Sequence, residues 1–288
     1  MSSEEMRSII YSQDEDRIYQ LKYLMKKYKF RPSRRKSQHF MINYKIMKDM
    51  IELAEISNKD VVLDIGAGDG ELTERIAKYA RRVYAIEYDR TLCKILRRRF
   101  KRSKKVKVIE GDFLKIDIPF FNKIVSNPPF HISSEILFKI FEYDFEVGVI
   151  TFQKEFAERI TARPGEKKYG RLSAVAQLIA EVRIYRDLEP KMFYPSPKTF
   201  VSILKIRPYS RDIRLHVKRY GRHLAYIFTQ RRRKVRKVVK EYLRKYDIDP
   251  DASDIKRFLN KMPKKRVFQL TPEEALEISI NIANILKK

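Results

Sequence analysis

Ten residues, Val61 to Gly70 (VVLDIGAGDG), restrict what this chain can fold into more than any other stretch. Val61 to Ile65 are mostly β-branched or aliphatic, show no helical spacing and run into glycines, so they read as a short buried strand. Gly66, Gly68 and Gly70 let the main chain turn tightly and approach a ligand with no Cβ in the way. A helix opening near Glu71 aims free N–H groups at the same place. A strand, a glycine turn and a helix in that order form the first crossover of an open parallel α/β sheet, where ligands sit beyond the carboxyl ends of the strands.

Three further strand ends carry chemistry. Arg82 to Ile86 reads as a second strand and delivers Glu87 about twenty residues past the turn, where an acidic side chain can accept both ribose hydroxyls of an adenosine. The other reading of Glu87 is a solvated strand end. Val106 to Glu110 leads into Gly111 and Asp112, and an aspartate there suits an exocyclic amine such as adenine's, or a turn. Lys123 to Ser126 empties into Asn127-Pro128-Pro129-Phe130. Successive prolines fix the backbone and remove its donors, leaving carbonyls, while Asn127 adds a neutral acceptor and Phe130 an aromatic face. Such a group fits a planar base whose amino group needs two acceptors and a stacking surface.

Charge narrows the partner. Lys and Arg number 64 against 37 acidic residues, a net charge of +27, which points to a polyanion. The alternative is a basic surface kept for solubility or heat resistance. The lone cysteine, Cys93, cannot form an internal disulfide, and no Cys/His cluster offers a metal site. The absence of a long apolar run or a hydrophobic leader leads us to expect a soluble cytoplasmic protein.

Residues 1–35 read as a basic or helical extension, with an amphipathic helix over Arg17 to Phe30 (Leu21, Leu24, Met25 and Tyr28 on one face) and a basic linker, RPSRRKS. Residues 36–209 hold the α/β domain. Within it, Gln153 to Ser173 reads as a helix followed by a basic loop, and Phe193 to Lys198 (FYPSPK) as a proline-stiffened loop presenting Phe193. From residue 210 helical patterns replace glycine-rich ones, so 210–288 is expected to be a separate helical domain with a cationic face for phosphate. In it Thr271, Pro272 and Glu274 form a helix start, and a helix over Arg231 to Tyr246 sets the cations of Arg231 to Lys240 around an apolar stripe.

Assembled, these residues resemble the rRNA adenine dimethyltransferase family, KsgA in bacteria with archaeal and eukaryotic counterparts, and the archaeal members in particular. The resemblance runs from about Gln38 to the C-terminus. It rests jointly on QHFM, DIGAGDGELT, the Glu87 strand end, GDF, NPPFHISSEI, QKEFAERI, KKYGRLS, FYPSPK and FTQRRRK. It implies a Rossmann-like class I methyltransferase core, α/β with a seven-stranded, mostly parallel sheet, and a smaller all-helical C-terminal domain. It further implies S-adenosyl-L-methionine as cofactor. The implied reaction is N6,N6-dimethylation of two adjacent adenosines in a hairpin near the 3′ end of small-subunit rRNA, late in assembly of an immature 30S-type subunit, by a monomer with no membrane partner. By the same resemblance Gln38, His39 and Met41 close over the methionine portion and Gly66 backs it. Glu87 holds the ribose, Asp112 the adenine amine, and Asn127 sits by the reacting methyl. The family often has Asn or Cys and then Leu where this chain has His39 and Met41, and tyrosine in place of Phe130.

On this reading the Asn127 oxygen and the Pro128 carbonyl accept the two N–H groups of the target amine, and Phe130 and Phe193 stack on its base. Cys93, mid-helix, is not placed to act as a nucleophile. Two other readings stay open on the residues: a methyltransferase acting on DNA adenine or a protein glutamine amide, and a non-catalytic assembly or RNA-binding factor on the same fold.

Overall fold

The computed structural model describes residues 3–33 and 35–287, and of residues 3–13 the backbone path alone. Arg34, inside the basic RPSRRKS stretch, lies outside the described residues, as do Met1, Ser2 and Lys288. The chain begins α1 (Ser3–Lys27), β1 (Phe40–Met41), α2 (Tyr44–Leu53), β2 (Val61–Ile65), α3 (Glu71–Tyr79), β3 (Arg82–Glu87), α4 (Arg90–Arg99) and β4 (Val106–Glu110). It continues β5 (Lys123–Ser126), α5 (Ser133–Ile140), β6 (Val147–Gln153), α6 (Lys154–Thr161), α7 (Arg171–Ile179), β7 (Ala180–Leu188), β8 (Phe193–Tyr194) and β9 (Val201–Pro208). Four helices close it: α8 (Arg211–Thr229), α9 (Val235–Arg244), α10 (Ser253–Lys261) and α11 (Pro272–Ile285).

These elements make two compact units, Met1–Ala157 with Arg183–Pro208, and Glu158–Val182 with Tyr209–Lys288. The helical unit therefore draws on a stretch between β6 and β7 as well as on the C-terminal third, where the sequence suggested one boundary at residue 209. The second half of Gln153 to Ser173 is not loop throughout, because α7 starts at Arg171.

In the first unit a seven-stranded sheet runs β4-β3-β2-β5-β6-β9-β7. Strands β2 to β6 run parallel to one another, and β9 runs antiparallel to β6. The central strands are buried on both faces, which is why they read as almost unbroken apolar runs such as Val147 to Phe152. From β2 the chain builds β3 and β4 on one side, then crosses over to build β5 and β6 on the other. The order thus reverses between β2 and β5, and a crevice opens at their carboxyl ends. Ser126 marks the parting: its hydroxyl accepts from Ile65 N–H (3.1 Å) and donates to Ile65 C=O (2.7 Å), in place of a ladder bond.

Helix α1 belongs to this unit. Leu21 is fully buried with Phe40, Leu92 and Ile95, and Leu24, Met25 and Tyr28 pack against the same cluster, on the face the periodicity predicts. The helix starts well before Arg17 because nothing from Ser3 to Lys27 is Gly or Pro. It ends at Lys27, where Phe30 N–H bonds Met25 C=O and Lys29 takes φ +51°, so a lysine fills the left-handed place usually given to glycine.

In the second unit α11 opens as expected: Thr271 Oγ1 accepts from Glu274 N–H, and the Glu274 carboxylate accepts from Thr271 N–H (2.8 Å). The stretch Arg231 to Tyr246 is helical only from Val235. Arg231 to Arg233 instead bond their backbone to Val267 and Phe268, and the Arg231 guanidinium donates to the carbonyls of Tyr169 and Lys167. Helix α9 buries Val235, Val238, Val239, Tyr242 and Leu243 and leaves Arg236 and Lys237 exposed. No helix among the described residues is long and apolar enough to cross a membrane.

Candidate active site

A cavity of about 250 Å³ lies over the carboxyl ends of β2, β3, β4 and β5. Gln38, His39, Met41, Gly66, Glu87, Asp112 and Asn127 all line it, so seven residues spread over ninety positions converge on one space. Pro128, Phe130 and Phe193 are not among its walls.

The glycine turn explains its own composition. Gly66 has φ +70°, and a Cβ there would stand 2.9 Å from Pro129 Cδ, so the two motifs of the sequence meet in van der Waals contact and only glycine fits. Gly68 N–H donates to Glu87 Oε2 (2.9 Å), while Tyr88 and Asp89 N–H donate to Oε1 (2.9 and 2.8 Å). Burial pushes this carboxyl above the ordinary carboxylate range, and the three N–H groups pull it back. A carboxylate held by main chain, with Oε1 taken up by two N–H groups and one lone pair left on Oε2, can accept a ribose hydroxyl. Asp112 Oδ1 accepts from Leu114 N–H (3.0 Å), which keeps the carboxylate beside the cavity. Beneath, fully buried Asp64 accepts from the Thr73 hydroxyl (2.6 Å), and burial pushes its carboxyl up to about 7. Gln38 turns its side-chain oxygen back to Ser33 N–H (2.8 Å).

The β5 side is organised by contacts from distant segments. Asn127 Oδ1 accepts from the Thr151 hydroxyl (2.6 Å), and Nδ2 donates to the His39 carbonyl (2.9 Å). The amide is thereby oriented, and Oδ1 keeps one lone pair. His39 Nδ1 lies 2.6 Å from the Pro195 carbonyl; since a carbonyl only accepts, Nδ1 carries the proton. The imidazole stacks on Phe130, centroids 5.7 Å apart at 18°. Phe130 in turn meets Phe193 edge to face, at 6.4 Å and 78°. Parallel aromatic walls flanking a base, as the sequence suggests, are therefore not what this state presents. Both rings are core residues, 5 % and 1 % exposed, and His39 covers the face of Phe130. Phe193 is also not on a free loop: β8 pairs antiparallel with β1, setting Met41 opposite Phe193 and Phe40 opposite Tyr194. Cys93 is buried, donates to Glu87 C=O (3.3 Å) and is pushed up to about 12 by burial, so it is no nucleophile. Among the described residues no cluster of His, Cys, Asp and Glu is arranged to hold a metal ion.

Sequence reasoning missed Thr151, Ser126 and Arg17. Thr151 is an interior strand residue and Ser126 a strand end, and neither carries a local signal. Arg17, 1 % exposed, crosses fifty-two positions to bond Asp69 (2.7 and 2.8 Å) at the cavity wall.

A switch-point cavity backed by a glycine turn, with an acidic residue closing the next strand and Asn-Pro-Pro closing the fourth, defines a Rossmann-like methyltransferase. The family model for ribosomal RNA adenine dimethylase matches residues 29–278. A Pyrococcus abyssi protein named "Probable ribosomal RNA small subunit methyltransferase A" is 40 % identical over 265 residues, 91 % of this chain and 95 % of that relative. A Methanopyrus kandleri protein of the same name is 35 % identical over 273 residues, 92 % of this chain and 98 % of the relative. Among solved structures, a dimethyladenosine transferase from Plasmodium falciparum superposes with a TM-score of 0.77 at 27 % identity, covering 85 % of this chain and 98 % of that one. The chain belongs to the ribosomal RNA adenine dimethylase family.

Proposed function

We propose that this enzyme uses S-adenosyl-L-methionine to place two methyl groups on N6 of each of two adjacent adenosines in a hairpin near the 3′ end of small-subunit rRNA. It acts as a monomer on an immature small subunit, late in assembly. The observation that carries the reading is the convergence of Gly66, Glu87, Asp112 and Asn127 on one cavity in a chain of this family and of net charge +27.

The strand order arranges the ligand. Asp112 over β4 takes the adenine amine, Glu87 over β3 a ribose hydroxyl, and the glycine turn over β2 the amino-acid end, while Asn127 over β5 faces the acceptor. When bound, the cofactor supplies a methyl already activated on a sulfonium, so the protein's task is alignment more than acid or base chemistry. An adenine amine is planar because its lone pair is delocalised into the ring. The free lone pair of Asn127 Oδ1 accepts one N–H and the Pro128 carbonyl the other, turning the nitrogen lone pair toward the methyl. Both bonds strengthen as positive charge grows on nitrogen, which favours the transition state over the ground state, and the acidic cation left once the C–S bond has broken gives up one proton to water. Thr151 and the His39 carbonyl hold the amide in that orientation.

A base entering this end displaces the His39 imidazole from Phe130 and stacks there in its place, worth about 1 to 3 kcal/mol for a flipped base. The basic residues of Arg231 to Lys240 that stay exposed, Arg236 and Lys237 among them, meet phosphates. The test is incubation with labelled cofactor and small subunits lacking the modification, followed by nucleoside analysis. The reading expects N6,N6-dimethyladenosine at two neighbouring positions and no label on naked DNA. Label on DNA, or none on RNA, rejects it.

A further inference from the structure

We propose that Arg17, on the N-terminal helix, binds the carboxylate of the cofactor's amino-acid end. This rests on reading the cavity as the S-adenosylmethionine site. Arg17 lines the cavity although it is only 1 % exposed. A guanidinium has five N–H donors in a fixed fork, and here Nη2 alone is engaged, with both oxygens of Asp69. Nε and Nη1 are buried with no hydrogen-bond partner. Buried donors left unmet at a cavity wall call for an acceptor, and a carboxylate is an acceptor-only anion.

The position fits. Because β4 and β3 take the adenine and ribose, the amino-acid end falls over β2, and Asp69 and Glu71 of its glycine turn line the cavity there. Those carboxylates suit the ammonium of a zwitterion. Burial works to raise Glu71, yet Arg17, Arg99 and Arg75 around it bring its carboxyl below the ordinary range, so it stays anionic. Helix α3 begins there with no side-chain cap, adding free N–H groups for an anion. Arg17 is held from both sides on its own helix face: Asp14 accepts from Asn43 Nδ2 (2.8 Å), and Leu21 is buried against Phe40, Leu92 and Ile95. The family model begins at residue 29, so α1 and its arginine lie outside the pattern it matches.

The competing role is structural, Arg17 serving only to neutralise Asp69. Calorimetry separates the two, comparing S-adenosylmethionine with its decarboxylated form on the wild type, Arg17→Met and the double variant Arg17→Met with Asp69→Asn. The double variant leaves neither charge of the pair buried alone, which controls for folding. The wild type is expected to prefer the complete cofactor by about 10- to 100-fold, as charge-assisted hydrogen bonds in a dry site allow. Both variants are expected to lose that preference, to within about threefold; Arg17→Met binds the decarboxylated form nearly as the wild type does, whereas the double variant, which also lacks the Asp69 charge facing the ammonium, binds both forms more weakly. Variants that keep the preference, or an Arg17→Met variant that loses both ligands equally, overturn the assignment. A wild type that binds neither ligand rejects the cofactor reading itself.

Discussion

Glu87 and Asn127 close two strands of one sheet and line one cavity, yet they are fixed by different means. Glu87 is held by three main-chain N–H groups, and Asp112 by one, so their places follow from the backbone of the strand ends. Asn127 is held by a side-chain hydroxyl and by the carbonyl of a residue whose ring lies across Phe130. A cofactor site must present the same geometry at every turnover. An acceptor site must admit a base, release it, and accept an amine first with two N–H groups and then with one. Cradling by main-chain N–H groups suits the first task, and exchangeable contacts from distant segments suit the second.

That contrast breaks if the two ends fail in the same way. Asn127→Ala is expected to slow single-turnover methyl transfer about 100- to 1000-fold, the usual cost of removing one group aimed at developing charge. Its cofactor affinity should stay within about threefold of the wild type. Glu87→Ala should do the reverse, weakening cofactor binding about 10- to 100-fold by calorimetry with little loss of rate at saturation. Equal losses of affinity and rate in both variants would mean that the cavity works as one undivided unit.

The stiffness of the cofactor end has an electrostatic cost that pH exposes. Asp64 has its folded pKa pushed up to about 7 by burial, against an ordinary value of 3.8. Below that ordinary value both the folded and unfolded states hold the proton. As pH rises to about 7 the unfolded chain releases it first, and stability falls. Asp64→Asn should therefore gain on the wild type between these limits by on the order of 4 kcal/mol, read from urea melts at stepped pH. A constant difference across the window would place the charge elsewhere. The smallest effect belongs to Thr151→Val, which removes the hydroxyl orienting the Asn127 amide. About fivefold in transfer rate is expected, with cofactor affinity unmoved. A change in affinity instead would tie Thr151 to the cofactor end.

What could be read from the sequence follows the same division. The β2 strand, its glycines, Glu87, Asp112 and Asn-Pro-Pro each announce themselves within a few residues, because main-chain conformation is a local matter. The contacts that aim Asn127 are not local: Thr151 stands twenty-four positions away and Pro195, which fixes His39, stands 156 away. Helix α1 looked like an appendage because its buried arginine pairs with Asp69 across fifty-two positions, and a lone arginine in a charged stretch signals nothing by itself. The helical unit seemed continuous because both boundaries of Glu158–Val182 fall inside regular elements, α6 and β7, where no turn marks them. Arg231 to Arg233 kept a helical pattern but lost the helix to pairing with Val267 and Phe268, a partner the local pattern cannot show.

The most direct measurement is a crystal structure of the protein with S-adenosylhomocysteine. A ribose hydroxyl should lie within hydrogen-bond distance of the Glu87 carboxylate, the adenine amine against Asp112, and the thioether sulfur should face Asn127. A ligand seated with its adenosine away from β3 and β4, or with its sulfur turned from Asn127, would contradict the assignment of the two ends.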